Sequence, residues 1–190
     1  MLLTQNAKMR KASLKTYDFA LPAGDKTCIG ASTCLNYCYA TRGFYKMPTV
    51  KAKHAFNHEC SKLDSFHQMI NGEIATLKLK GLEAIRIHSA GDFYSREYLH
   101  KWLKIITDNP SIDFYAYTKS IPLFINAPIP FNFKVVYSTG GKHDHLIEKH
   151  GLRSCKVVDN YSYANDSSDD DDSIILFSEK PIELLKRKVH

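Results

Sequence analysis

The chain has no CxxC pair, although it holds five cysteines. That absence removes the usual paired ligands of a structural zinc finger or ribbon. There is no apolar run of the length needed to cross a bilayer. The first residues, Met1 to Lys11, lack the apolar centre of a secretory signal. With an odd number of cysteines as well, a disulfide framework is not expected, and a reducing, intracellular setting is. No internal repeat is visible, so a solenoid or propeller is not expected.

What is present is a concentration of thiols. Cys28, Cys34 and Cys38 lie within Thr27-Cys28-Ile29-Gly30-Ala31-Ser32-Thr33-Cys34-Leu35-Asn36-Tyr37-Cys38-Tyr39-Ala40, with five and three residues between them. A short Gly/Ser/Asn loop can turn such sulfurs toward one metal centre. Three readings stand side by side. The cysteines are ordinary buried residues; or they bind zinc with a fourth ligand from elsewhere; or they hold three irons of a 4Fe–4S cubane and leave the fourth iron open. The remaining cysteines, Cys60 and Cys155, are either a fourth ligand or buried thiols.

The 190 residues suit a single domain, 1–190, with 44% hydrophobic and 12% aromatic residues. The formal net charge of +6 is compatible with an anionic partner such as nucleic acid, and equally with solvated helix faces.

Along the chain, residues 1–15 read as a basic, irregular N-terminal arm. Tyr17 to Leu21 predicts a first strand, ended by Pro22-Ala23-Gly24-Asp25, so the cysteine loop sits at its C-terminal end. From Pro48 to Lys80, apolar residues including Ala52, Ala55, Phe56, Leu63, Phe66, Ile70, Ile74 and Leu77 recur at helical steps. Asn71-Gly72 is the expected break and Gly81 the C-cap. Further strands are predicted at Glu83–His88, Ile112–Tyr117, Lys134–Tyr137, Cys155–Val158 and Ile174–Phe177. Helices are predicted at Tyr94–Thr107, briefly within Ile121–Phe131 and His143–His150, and as a basic C-terminal helix at Glu179–Val189. The acidic stretch 164–173, with Asp166 and Asp169 to Asp172, reads as a flexible solvated loop; a cation site is the alternative.

Strand, loop and helix in repetition predict about six parallel strands in an open, partial barrel. Ligands of such folds bind at the C-terminal ends of the strands. The loops there are the cysteine loop, Ser89-Ala90-Gly91-Asp92-Phe93, Thr118-Lys119-Ser120 and Ser138-Thr139-Gly140-Gly141. In this arrangement Lys119 meets a carboxylate or phosphate, or is a surface lysine. Tyr137 and Ser138 meet a ribose hydroxyl, or Ser138 is a turn-former. His88 reads as a core histidine, since it has no ligand spacing around it.

The cysteine loop after a first strand, with Tyr37 just before Cys38, resembles the CxxxCxxC loop of radical S-adenosylmethionine (radical SAM) enzymes. Here the intervals are five and three residues rather than three and two. Ala90-Gly91-Asp92 stands where that family carries a Gly-Gly-Glu-like segment. The resemblance implies a 4Fe–4S cluster on Cys28, Cys34 and Cys38, with Gly91 and Asp92 holding the amino group of S-adenosylmethionine. It also implies a (β/α)6 TIM-like partial barrel, truncated toward the C-terminus, and an external reductant if the chain is an enzyme. In that chemistry the reduced cluster cleaves S-adenosylmethionine to a radical that takes hydrogen from a small-molecule or macromolecular substrate. A non-catalytic iron–sulfur protein that binds nucleic acid or a host protein is the alternative; a zinc-stabilised module is a second.

More closely, the chain resembles the gene product 88 family of small phage proteins. The resemblance lies in Asn6-Ala7-Lys8-Met9, Leu21-Pro22-Ala23-Gly24, Thr27 to Ala40, Arg86 to Phe93 and Tyr115 to Ser120. It implies phage origin and expression in the host cell cytoplasm; that no membrane is expected as a partner follows from the lack of a spanning apolar run.

Overall fold

The computed structural model describes residues 1–162, 165–167, 171 and 173–185. Among the described residues, seven strands form one all-parallel sheet, curled as a half-barrel. They are β1 (Thr16–Phe19), β2 (Ala84–Ile87), β3 (Asp113–Thr118), β4 (Phe133–Ser138), β5 (Ser154–Val158), β6 (Asp166–Ser167) and β7 (Ile182–Leu185). Their order across the sheet is β1-β2-β3-β4-β5-β7-β6. The helices are α1 (Pro48–Lys62), α2 (Phe66–Lys78), α3 (Arg96–Asp108), α4 (Ile121–Phe124), α5 (His145–Lys149) and α6 (Ile174–Phe177). Short 3-10 turns at Thr33–Tyr37, Tyr39–Thr41 and Gly43–Lys46 carry the chain from the cysteine loop to α1.

Alternation along the strands divides the side chains into two layers. Phe19, Ile85, Ile87, Phe114, Ala116 and Tyr137 join α2 and α3 in the main core, around Trp102. The other face holds a smaller cluster of Ala84, Tyr115, Val136, Cys155, Ile175 and Ile182, packed by Leu14 and α6. On that face the Arg86 guanidinium lies 5.3 Å from the centre of the Tyr117 ring.

The N-terminal arm is more than a solvated tail. Leu2, Leu3 and Met9 are buried, Thr4 bridges Asp18 antiparallel to β1, and Asn6 Oδ1 accepts from Met9 N–H in a local turn. Glu73 on α2 accepts from the backbone N–H of Leu2 and of Leu3, which fixes the arm's start.

The long helical stretch breaks at Leu63-Asp64-Ser65, and Asn71 and Gly72 lie inside α2. The expected break at Asn71 is overridden because its side chain is used across the helix pair: it donates to Asp108 and accepts from Asn109 Nδ2 at 2.7 Å. The actual break is capped from α3, where Lys101 Nζ donates to the carbonyls of Ser61, Lys62 and Leu63. These are orphan acceptors at the end of α1. Gly81 N–H reaches Lys78 O and Leu82 N–H reaches Leu77 O, the Schellman pattern expected after α2.

Two C-terminal expectations are corrected. Ile174–Phe177, read as a strand, is helix α6; a short apolar run without alternation suits either state. Within Glu179–Val189, read as a helix, Ile182–Leu185 is strand β7, paired with both β5 and β6; residues 186–190 lie outside the described residues. Glu183 explains the override: it accepts from Ser162 N–H and Asn165 Nδ2, and lies 3.4 Å from Lys156 Nζ. The acidic stretch is not all loop either. Asp166–Ser167 is β6, and Asp171 accepts from Ser13 N–H and Ser173 N–H. Residues 164, 168–170 and 172 of it lie outside the described residues.

Among the described residues, no helix is long and apolar enough to cross a membrane.

Candidate functional site at the mouth of the sheet

Because every strand is parallel, the loops after β1, β2, β3 and β4 leave from one edge of the sheet. The cysteine loop lies across the other three. Its Gly30 presses on the strand 3 loop, where a Cβ would stand 2.1 Å from Lys119 O. Ala31 bridges Gly141, Cys34 N–H donates to Gly140 O at 3.2 Å, and Lys142 N–H donates to Gly30 O at 2.8 Å. Tyr39 O–H donates to Ser89 O at 2.5 Å, fastening the far end of the loop to the strand 2 loop. The seats on the strand 3 and strand 4 loops use backbone groups, and the seat on the strand 2 loop uses the Tyr39 hydroxyl.

The strand 4 loop is itself braced. Asp144 accepts from Gly140 N–H at 2.7 Å and from Gly141 N–H at 2.9 Å. Sequence reading did not single out Gly30 or Asp144. An aspartate three to four residues after a Gly-Gly pair was the available signal, since short carboxylates commonly tie turns.

Cys28, Cys34 and Cys38 are free thiols, all half-buried. Burial pushes the Cys28 thiol up, and the neighbouring Asp92 charge and Cys38 push the same way. A backbone hydrogen bond at Gly24 and the Thr27 hydroxyl oppose them. Cys28 is thus held protonated more firmly than a free cysteine, and a bound cation would favour its thiolate. An open cleft of about 510 Å³ adjoins it, lined among others by Cys28, Ser32, Asn36 and Lys142. Among the described residues, no three His, Cys, Asp or Glu side chains stand together as a ready metal site.

Asp92 is 5% exposed, and its carboxylate is engaged from three directions. Oδ1 accepts from Phe93 N–H at 2.7 Å and from Thr118 O–H at 2.6 Å, and Oδ2 accepts from Lys119 N–H at 2.8 Å. Burial raises its pKa, against the pull of those donors. Asp92 therefore clamps the strand 2 loop to the end of β3. Gly91 beside it has a φ of +78° and meets Leu21 so closely that a Cβ would lie 2.5 Å from Leu21 Cβ.

The other expected site residues divide. Lys119 and Ser138 are half-buried at the strand ends. Tyr137 is 8% exposed and joins the helix-facing core, its ring 6.0 Å from that of Phe124; burial pushes its hydroxyl up to about 12. The fold therefore turns Tyr137 away from the face that Ser138 occupies. Cys60 and Cys155 are buried in the two separate clusters. His88 is a core residue as expected, 3% exposed, with Nε2 2.8 Å from Tyr98 O–H and its ring edge-on to Phe93 at 4.5 Å.

No solved structure matches this chain. The chain is similar to the Gene 88 protein of Mycobacterium phage L5, with 45% identity over 40 residues, a match that covers 21% of this chain and only 17% of that protein. The family described as Gene product 88 matches residues 1–190, the whole sequence, and the chain belongs to that family.

Proposed function

We propose that this is a phage-encoded iron–sulfur protein whose 4Fe–4S cluster is held by Cys28, Cys34 and Cys38 at the mouth of the half-barrel, in the manner of radical SAM enzymes. The observation that carries the reading is the seating of the loop. Backbone contacts hold it to the loops after β3 and β4, and the Tyr39 hydroxyl holds it to the loop after β2, while its three thiols stay free and half-buried. A structural cysteine loop would more usually bury its sulfurs.

The donor set suits the group: soft thiolates, three within eleven residues, none spent on a disulfide. Loading requires the turns between Thr33 and Thr41 to draw the sulfurs together and Cys28 to lose its proton. Once bound, such a cluster supplies an electron and one iron not ligated by protein. The cleft at Cys28 gives a small molecule room beside it. In this reading Lys119 offers a cation and Ser138 a hydroxyl on the same rim, while Gly91 lets the strand 2 loop close against Leu21. Tyr137 takes part only through packing. Expression in the host cytoplasm, with a host reductant, belongs to the same proposal.

Asp92 favours a second reading. Three of its acceptor positions are already filled from within the protein, so it is poorly placed to take the ammonium of S-adenosylmethionine as well. In the second reading the cluster is a redox or structural element and the chain binds a macromolecule without radical chemistry.

One experiment orders these readings. Protein reconstituted anaerobically with iron and sulfide is reduced in the presence of S-adenosylmethionine, and 5′-deoxyadenosine is measured. A coloured protein that forms the product supports the first reading. A coloured protein that forms none supports the second. A protein that stays colourless rejects both.

A further inference from the structure

Helix α1 docks through the wrong residues for an ordinary surface helix. Its buried positions are Asn57, Cys60 and Ser61. Asn57 Nδ2 donates to Leu2 O at 3.2 Å and Ala20 O at 3.0 Å, and Ser61 lies 2.8 Å from Tyr94 O–H. The positions that the periodicity marks as apolar, Ala52, Ala55 and Phe56, face solvent, with Phe56 at 54% exposure. Leading into the helix, Phe44 is 82% exposed and Met47 46%. Tyr45 packs on His54 with ring centres 5.9 Å apart, which lays the 43–46 turn along the first turns of α1. Exposed aromatic and apolar side chains thus gather on the 43–46 turn and the helix it packs against.

The charge of this surface names its partner. From Lys26 to His58 the chain has no aspartate or glutamate, yet it carries Lys26, Arg42, Lys46, Lys51 and Lys53; the next carboxylate on α1, Glu59, is paired with Lys62 at 2.7 Å. Lys46 and Lys51, both exposed, lie between Phe44 and Phe56 in the sequence and form no ion pair among the described residues. Lys53 sits 5.9 Å from the Phe56 ring centre. An apolar patch for a protein partner would need no such one-sided charge. Exposed rings between unpaired lysines match a single-stranded nucleic acid, whose bases stack while its phosphates meet the cations.

We propose that the surface built by Phe44, Lys46, Met47, Lys51 and Phe56 binds single-stranded nucleic acid. The site uses none of the three thiols, so its test does not depend on whether they carry a cluster.

The test is fluorescence anisotropy with a labelled DNA strand of about 20 nucleotides, the same sequence as duplex, and polyglutamate as competitor. The single strand binds more tightly than the duplex, and polyglutamate competes poorly. Phe44→Ala and Phe56→Ala, both at exposed positions, each weaken single-strand binding by roughly tenfold or more while leaving the melting midpoint unchanged. Lys46→Gln with Lys51→Gln lowers the slope of log affinity against log salt by about 1.4. Lys78→Gln, on an exposed position of α2, changes neither. The proposal is overturned by absence of binding. It is overturned equally by competition from polyglutamate with no effect of Phe44→Ala, which would mark an acidic-protein site, or by equal loss in the Lys78 variant.

Discussion

Gly30 and Lys119 touch through their backbones: the space for a Cβ on Gly30 is already filled by Lys119 O, 2.1 Å away. This contact joins the cysteine loop to the end of β3, and neither partner can yield by rotating a side chain. Gly30→Ala must lift the loop off the sheet. The expected cost is about 1–3 kcal/mol in denaturant unfolding, with a matching loss of iron uptake. Gly72→Ala, on an open face of α2 with nothing within 4 Å, serves as the contrast and gains roughly 0.5–1 kcal/mol.

The polar seat of α1 predicts an unusual sensitivity. Asn57→Ala removes the donor that serves both Leu2 O and Ala20 O inside the protein. Leaving buried acceptors without a donor costs roughly 2 kcal/mol or more. Phe56→Ala, although it removes a large apolar group, costs less than about 0.5 kcal/mol because that ring is already in water. Urea midpoints of the two variants check the order, which a conventional amphipathic helix would reverse.

Acid should weaken the fold through His88. Burial, and after it the Arg86 charge, lowers its pKa to about 3 from the ordinary 6.5. The unfolded chain therefore takes up a proton that the folded chain refuses. Stability from this group is complete above pH 6.5 and is lost as pH falls toward 3, at up to about 1.4 kcal/mol per pH unit. His88→Asn, a residue that tolerates the φ of 70° found there, flattens this slope. Unfolding free energies at a series of pH values read the difference; parallel curves would contradict it.

Asp92 acts on Cys28 through charge as well as on the loops through hydrogen bonds. Its negative charge helps hold the Cys28 thiol up. Asp92→Asn removes that charge but keeps an acceptor for Thr118 and Phe93. Alkylation of Cys28 at neutral pH, followed by mass spectrometry of its peptide, should become faster. Stability should fall by about 1–3 kcal/mol, since an amide N–H would then face Lys119 N–H. An unchanged alkylation rate would place Asp92 outside the electrostatic reach of the thiol.

The parallel half-barrel was legible because its elements carry strong local signals. The run Ala84-Ile85-Arg86-Ile87 and the helical stretch predicted at Tyr94–Thr107 need no distant partner to be recognised, although the cap at Ser95, whose hydroxyl accepts from Tyr98 N–H, was not singled out. The chain beyond β5 was not legible. Ile182-Glu183-Leu184-Leu185 has the composition of a helix, and only pairing with β5 on one side and β6 on the other makes it a strand. The orientation of α1 was hidden for a similar reason: the acceptors that Asn57 serves come from Leu2 and Ala20, far away in sequence. At the mouth, the cysteine loop and the Gly91-Asp92 turn were visible as residue types. That Asp92 is spent on Thr118 and Lys119, and that Tyr137 points into the helical layer, depends on neighbours the local sequence does not reveal.

The central claim concerns what the three thiols hold, and metal analysis addresses it most directly. Protein purified or reconstituted without oxygen is assayed for iron, zinc and acid-labile sulfide, beside a Cys34→Ala variant. The proposal predicts about four iron and four sulfide per chain, with the visible absorption lost in the variant. One zinc per chain without sulfide, or a variant that keeps its iron and colour, would contradict it.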